Sequence, residues 1–202
     1  MLLKIHPKNP DKRAIQLVTE CLLDGGIIIY PTDTVYGLGC NIYNHEAVEK
    51  ICKIKNIKPA KAQLSFICSN LTHLSNYTKS IDTPLFRILK QYLPGPYTFI
   101  LQASKQVPKI LQSNRKTIGL RIPNNLIALQ IVEALQNPLL SASLPSKNDI
   151  YLTDIEEIYG LYKNQVEIVI DGGTGGEQTS TIIDCTEQEI KLIRLGAGKW
   201  AD

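Results

Sequence analysis

The sequence lacks the features by which membrane-spanning, disulfide-rich and secreted proteins are recognised. It has no run of about 18 apolar residues, the length that a membrane-spanning helix needs. Its first residues, MLLKIHPKNPDKR, are polar where a signal peptide has an apolar segment. The five cysteines are odd in number, widely spread and without a CxxC pair, so they predict no disulfide framework. We therefore expect a cytoplasmic protein with no membrane span and with buried, reduced cysteines.

Histidine and net charge are also scarce. The three histidines, His6, His45 and His73, are scattered, and none has a second histidine, cysteine or carboxylate at ligand spacing. A metal ion held by side chains alone is therefore not expected. The 22 Lys+Arg nearly balance the 19 Asp+Glu, so the composition does not require a nucleic-acid partner, although a local basic cluster can still bind one.

The chain alternates between helical and strand patterns. Residues 10–26 have helical apolar spacing with a glycine stop, and IIIYP then predicts a buried strand because its apolar residues do not alternate. Further helices are predicted in NHEAVEKICKIK, TPLFRILKQYLPG, NNLIALQIVEALQN and DIEEIYGLYKN, and strands in LSFIC, YTFILQA, TIGLRIP, PLLSAS, VEIVIDGG, TSTIIDC and IKLIRLG. This alternation predicts a three-layer α/β fold, and the three consecutive final strands favour a mixed sheet. No linker divides the chain, so we expect one domain over 1–202.

Polar side chains follow or interrupt several of the predicted strands. After IIIY comes the stretch YPTDTVYGLG, with two threonines, an aspartate and a Gly-x-Gly turn. The others are Arg121 in TIGLRIP, Ser141 and Ser143 in PLLSAS, Ser180 and Thr181 in TSTIIDC, and Arg194 in IKLIRLG. Open α/β sheets bind ligands at strand ends, and hydroxyl and guanidinium donors suit carboxylate and phosphate oxygens. The stretch DGGTGG is similar to a phosphate cradle, but no helix follows it, which favours a turn.

Each of these side chains also has a purely structural interpretation. The hydroxyls suit turns, caps and strand positions where they bond only to backbone, and Tyr36 suits a core with a satisfied hydroxyl. Arg121 interrupts an apolar strand, so it must be paired with a protein carboxylate or with a ligand. Lys55 belongs to a lysine cluster that is typical of a solvated helix face. Arg194 suits a surface position.

The segments GGIIIYPTDTVYGLGC, TIGLRIPNN, PLLSAS, VIDGG and TSTIID…LIRLG, in this order, resemble the YrdC/YciO family over nearly the whole chain. IHPKNPDKR, GLGC and KTIGLRIPNN are more similar to the YciO branch. The resemblance implies a twisted mixed β-sheet flanked by helices, with a basic concave face. The YrdC branch implies an L-threonylcarbamoyladenylate synthase, which condenses L-threonine, bicarbonate and ATP into threonylcarbamoyl-AMP and pyrophosphate. The product feeds the threonylcarbamoyladenosine modification of tRNA.

The resemblance also implies roles for individual residues. Those that would border the threonine and carbamate are Thr32, Thr34, Tyr36, Arg121, Ser141 and Thr181. Those that would meet the nucleotide are Lys55, Lys58, Ser143, Ser180 and Arg194. Mg²⁺ would arrive with ATP, held mainly by phosphates and water. Joining anions requires positioning and positive charge rather than a side-chain nucleophile, so no residue is assigned as catalytic.

Two positions depart from the synthase pattern. The synthase branch typically carries Lys-x-Arg followed by proline, whereas this chain has KNIKPAK, with Ile57, or by another alignment Lys58, in place of the arginine. The branch also carries Ser-x-Asn, where this chain has Pro145, and proline supplies no side-chain donor. Two hypotheses follow: a synthase-like enzyme with weakened activity, or a module that binds tRNA or double-stranded RNA through the lysines between Lys50 and Lys61, with a vestigial nucleotide pocket.

Overall fold

The computed structural model describes residues 1–57, 64–111 and 116–200. Every α-helix in these ranges begins after an aspartate or asparagine whose side-chain oxygen accepts a hydrogen bond from a backbone N–H of the first turn. The helices are α1 (Lys12–Leu23), α2 (His45–Ile54), α3 (Leu71–Ser75), α4 (Thr83–Tyr92), α5 (Leu126–Leu135) and α6 (Ile155–Tyr162). None of them is long and apolar enough to cross a membrane.

The strands of the described ranges form one ten-stranded sheet in the order β1-β8-β2-β3-β7-β4-β6-β5-β9-β10. They are β1 (Leu2–Lys4), β2 (Ile28–Tyr30), β3 (Gly37–Asn41), β4 (Ser65–Ile67), β5 (Tyr97–Gln102), β6 (Thr117–Arg121), β7 (Leu139–Ser143), β8 (Ile168–Asp171), β9 (Thr181–Asp184) and β10 (Lys191–Arg194). The pairs β1/β8, β2/β8, β4/β6 and β5/β9 are parallel and the others are antiparallel. The sheet is therefore mixed, as predicted.

Apolar side chains cover both faces of the sheet. On one face, α1 and α5 pack through Ile15, Val18 and Ile131 against strand residues such as Ile28 and Ile168. We call this the α1/α5 face. On the other face, the buried residues Val48 of α2, Leu74 of α3, Leu89 of α4 and Ile158 of α6 share one core with Leu38, Phe66 and Phe99 of the sheet. Helices thus flank the sheet on both sides, which confirms the predicted three-layer α/β fold. The basic, concave face of the sheet and the extent of the single domain over residues 1–202 remain predictions.

One local prediction was wrong. The YGLG segment, expected to be a turn, contributes strand β3, which pairs with β2 on one side and β7 on the other. Glycine weakens a strand unless a neighbour needs the space. Here the neighbour is the Tyr30 ring, because a Cβ at Gly39 would lie 2.9 Å from its Cε1 atom and a Cβ at Gly37 would lie 3.1 Å from it. The two glycines therefore accommodate a buried tyrosine.

Candidate ligand-binding site

Four small residues lie side by side across four strands on the α1/α5 face. Gly39 of β3 is in register with Ser141 of β7, Ser141 with Ser65 of β4, and Ser65 with Gly119 of β6. We call this set the small-residue row. Ser65 and Gly119 are partly exposed, although the residues that flank them in their strands are buried. The sheet is therefore accessible to a ligand at Ser65 and Gly119, whereas Gly39 and Ser141 are buried.

Arg121 lies two residues beyond Gly119 and points to the same face of the sheet. Its Nη2 atom donates to Asp33 Oδ1 at 2.9 Å and to Thr34 Oγ1 at 3.0 Å. The other carboxylate oxygen of Asp33 accepts the backbone N–H of Asn124 at 2.9 Å. The side chains of Arg121 and Asp33 are only 7% and 9% exposed. Arg121 is thus held in a buried ion pair, and its Nε has no partner within the described ranges.

Lys55 enters the site from the opposite layer. It is the C-cap of α2, and its Nζ donates to the carbonyl oxygen of Ser143 at the end of β7. The side chain is half-buried, and this desolvation lowers the pKa of Lys55 below its ordinary value of 10.5. Among the described residues, Lys55 therefore places a partly desolvated ammonium group on a neutral carbonyl, two residues along β7 from Ser141 of the row.

The row continues toward the far edge of the sheet. The position of a Cβ at Gly119 lies 3.1 Å from Thr98 Cγ2, and Thr98 Oγ1 is 2.7 Å from Ser180 Oγ. Arg194 Nη2 donates to the carbonyl oxygen of Ser180 at 2.9 Å, and the Arg194 side chain is exposed. Ser180 and Arg194 thus adjoin each other on the β9/β10 side of the row.

Three of the predicted site residues use their hydroxyls in hydrogen bonds to backbone groups of the protein. Thr32 Oγ1 donates to the carbonyl oxygen of Val35 at 2.8 Å and accepts from the N–H of Thr34 at 3.0 Å, which closes a turn. Tyr36 belongs to the core on the opposite face. Thr181 is fully buried, and its Oγ1 donates to the carbonyl oxygen of Gly198 and accepts from the N–H of Gly196. Lys58 lies outside the described residues.

The DGGTGG segment lies directly against the loop that carries Thr34. Tyr36 OH donates to the carbonyl oxygen of Gly173 at 2.6 Å, and the N–H of Gly176 donates to the carbonyl oxygen of Thr34 at 3.0 Å. A Cβ at Gly176 would lie 2.6 Å from that carbonyl oxygen. The segment supports the loop of the candidate site, in agreement with the turn that the sequence favours.

This close approach gives a matched pair of alanine substitutions. Gly176→Ala should lower the free energy of unfolding by about 1–3 kcal/mol, because the new methyl group displaces backbone. Gly160→Ala should raise it by about 0.5–1 kcal/mol, because Gly160 is exposed in α6 with nothing within 4 Å of a new Cβ. Urea unfolding of both variants measures the two changes. A stable Gly176→Ala variant would show that the two loops are not closely packed.

One cleft of the structure contains none of the predicted site residues. It has a volume of about 640 Å³ and lies between loop 78–82, α4 and residues 185–190. Within the described part of the chain, no group of three or more histidine, cysteine, aspartate or glutamate side chains is placed to hold a metal ion. Of the predicted donors, Ser141 lies in the small-residue row, and Arg121 lies next to it on the same face.

Comparison with known proteins identifies the family. The family model Sua5_yciO_yrdC, described as telomere recombination, matches residues 20–196. The chain belongs to this family. YciO of Escherichia coli K12 is 42% identical over 196 residues, which are 96% of this chain and 94% of that protein. The crystal structure of E. coli YciO matches with a TM-score of 0.92 at 40% identity, over 98% of this chain and 97% of that one.

More distant family members include threonylcarbamoyl-AMP synthases. The synthase of Pyrococcus abyssi is 30% identical over 183 residues, which are 90% of this chain and 54% of that protein. The crystal structure of P. abyssi Sua5 complexed with L-threonine matches with a TM-score of 0.88 at 27% identity, over 97% of this chain and 57% of that one. The chain is thus similar to YciO over nearly its whole length and to about half of the length of that synthase.

Sequence reasoning did not assign three residues that the structure places at the site. Asp33 lies inside the PTDT stretch, and a carboxylate directly after a buried strand was the available signal. Ser65 lies in a predicted strand with apolar neighbours. A single serine among apolar residues indicates a position whose side chain does not have to pack against the core. Tyr30 ends a wholly apolar strand, and nothing in the pattern separates it from an ordinary core residue.

Proposed function

We propose that the protein is an L-threonylcarbamoyladenylate synthase-like enzyme of tRNA modification, with weakened activity. The observation that carries the proposal is the convergence of Lys55, Ser143 and Ser141 beside the partly exposed Ser65 and Gly119. The hydroxyl groups on the row and the Lys55 ammonium group at the end of β7 are donors of the kind that bind carboxylate and phosphate oxygens. The kinship with threonylcarbamoyl-AMP synthases supports the same reaction.

In the proposed reaction, the amine of L-threonine takes up bicarbonate to form a carbamate and release water. A carbamate oxygen then attacks the α-phosphorus of ATP, and pyrophosphate leaves. Both partners are anions, so the site contributes mainly charge neutralisation and alignment. Lys55 would neutralise the reacting oxygens, and the hydroxyls of Ser141 and Ser143 would orient them. Mg²⁺ would come as part of the ATP substrate.

Arg121 plays a narrower role in this proposal than a free anion clamp. Its charge is already matched by Asp33 at 2.9 Å, so a ligand carboxylate would meet a neutral pair rather than an isolated cation. The guanidinium instead fixes the position of Thr34, whose Oγ1 accepts from it. We propose that Arg121 and Thr34 form the wall of the threonine pocket, and that Ser180 and Arg194 bind the nucleotide from the β9/β10 side.

The two departures from the synthase pattern support weakened activity. Ile57, in one alignment of the arginine position, packs against the core on the face opposite the row. Pro145 follows the end of β7 and offers no donor. Hydrogen bonds to charged groups contribute about 1.5–3 kcal/mol each. We therefore expect this protein to bind ATP more weakly than a synthase that has the arginine and the asparagine, and to catalyse the same reaction.

The reaction itself can be tested directly. The protein is mixed with ATP, L-threonine and labelled bicarbonate, and pyrophosphate and a labelled threonylcarbamoyl adduct are measured. We expect both products in equal amounts, and their formation should depend on L-threonine. The Lys55→Met variant is the matched control and should form neither at a comparable rate. Absence of both products, together with an unchanged melting temperature at millimolar ATP, would refute the proposal, since a ligand of the folded state raises stability.

Exposed lysines on α2 support a second proposed activity, the binding of tRNA or double-stranded RNA. Lys50 and Lys53 lie one turn apart and are exposed, whereas Lys55 is turned into the site. Such binding would be electrostatic, so affinity should fall about tenfold between roughly 50 and 200 mM salt if two phosphates are neutralised. Filter binding at several salt concentrations, with Lys50→Gln/Lys53→Gln as the control, measures this. Salt-independent or strongly sequence-dependent binding would contradict it.

A further inference from the structure

Tyr30 is completely buried on the sheet face that carries the small-residue row. Its ring fills the space left by Gly37 and Gly39. The position of the ring is therefore fixed by packing against these two glycines of β3. The ring spans this strand and brings the phenol group to β7, where Tyr30 OH lies 2.6 Å from Ser141 Oγ. A core role alone requires only the ring, and the hydroxyl needs a separate explanation.

The hydrogen bond between these two residues has a defined direction. Tyr30 donates and Ser141 accepts. Burial raises the pKa of Tyr30 to about 12, so the phenol keeps its proton, and its role as donor, at neutral pH. A serine hydroxyl that accepts one hydrogen bond still has one proton to donate. Ser141 is therefore left to donate in another direction.

Charged groups of the site act on the same position. The Arg121 charge lowers the pKa of the Tyr30 hydroxyl and the Asp33 charge raises it, so the two opposite charges of the ion pair partly cancel there. Ser141 is also the member of the small-residue row that adjoins Ser65. A donor at Ser141 thus lies beside the partly exposed Ser65 of the row.

We propose that Tyr30 is a positioning residue, which holds Ser141 as a hydrogen-bond donor toward the oxygen atoms of an anionic ligand bound on the small-residue row. This inference rests on the proposed function, because the ligands that it concerns are L-threonine and ATP. Tyr30 itself touches neither ligand and acts through Ser141. The glycines of the YGLG segment serve the same arrangement by admitting the ring.

A double-mutant cycle tests this role. The variants are Tyr30→Phe, Ser141→Ala and the double variant, and calorimetric titration measures the affinity of each for L-threonine and for ATP. Loss of one hydrogen bond corresponds to about a fivefold change in affinity. We expect Tyr30→Phe to weaken binding of at least one ligand about fivefold in the Ser141 background and to have no effect in the Ser141→Ala background. Such coupling is the signature of a residue that acts through its neighbour.

A matched control separates positioning from simple core packing. Tyr77 is also buried, its hydroxyl lies 3.5 Å from Tyr43 OH, and it belongs to the core on the opposite face. Tyr77→Phe should leave both affinities unchanged. Equal weakening by Tyr30→Phe in both Ser141 backgrounds, or a lower melting temperature with unchanged affinities, would overturn the inference alone. A wild-type protein that binds neither ligand would overturn the proposed function and the inference with it.

Discussion

Replacing Asp33 by alanine should lower the free energy of unfolding by about 3–5 kcal/mol, because it leaves a buried guanidinium without its carboxylate. Asp33 and Arg121 are each at least nine-tenths buried, and Asp33 also accepts the N–H of Asn124. The substitution therefore removes hydrogen-bond partners from two groups at once. Urea denaturation, followed by far-ultraviolet circular dichroism, gives the change in free energy.

An exposed ion pair of the same protein is the control for this prediction. Lys191 and Glu187 are also 2.9 Å apart, but their side chains are 50% and 68% exposed. Glu187→Ala should therefore cost less than about 1 kcal/mol. The double variant Asp33→Ala/Arg121→Met should recover part of the loss, since the unpaired charge is removed. Equal, small effects at Asp33 and Glu187 would contradict the picture of a buried pair that holds the loop.

Replacing Lys55 by methionine should weaken ATP binding by about 10- to 100-fold, because a charge-assisted hydrogen bond contributes about 1.5–3 kcal/mol. The fold should be retained, since methionine keeps the apolar stem and burial already disfavours the ammonium group. Lys53, two residues earlier in the same helix, is exposed, and Lys53→Met should change affinity less than twofold. Equal losses of ATP affinity in the two variants would show that Lys55 acts only through long-range electrostatic attraction and not through a direct contact with ATP.

The pH dependence follows from the same residue. Burial lowers the pKa of Lys55, and only the protonated form attracts an anion. Affinity for ATP should therefore fall with rising pH before an ordinary exposed lysine would lose its proton. The lowered pKa also means that the unfolded chain binds this proton more tightly, so stability from this group rises with pH while affinity falls. Arginine stays charged throughout, so Lys55→Arg should remove the decline in affinity.

The main helices and most strands could be predicted from local patterns. Helical apolar spacing after an Asx cap defines α1, α2, α5 and the other long helices, and short apolar runs define strands such as β2. Strand β3 could not be predicted, because its two glycines are typical of a turn. Its conformation depends on Tyr30 in the neighbouring strand, and such pairing is not visible in a local pattern.

The candidate site was only partly predictable for the same reason. The polar residue types were visible in the sequence, but their partners are distant. Arg121 pairs with Asp33, 88 residues away, and no acidic residue close to it in sequence reveals this. Tyr36 and Thr181 have the hydroxyls expected of ligand-binding residues, yet backbone groups of residues 172–173 and 196–198 bond to them. Hydroxyl residues near strand ends thus predict the location of the candidate site, but they do not predict which of these hydroxyls are free to bind a ligand.

The most direct test of the central claim is the location of ligand binding. Amide chemical shifts of the isotope-labelled protein are followed by NMR while L-threonine and then ATP with Mg²⁺ are added. The proposed site predicts that the largest changes occur at the small-residue row, Gly39, Ser65, Gly119 and Ser141, and at Ser143 beside Lys55. Changes confined to the cleft formed by residues 78–82 and 185–190, or no changes at millimolar concentrations of both ligands, would contradict the account.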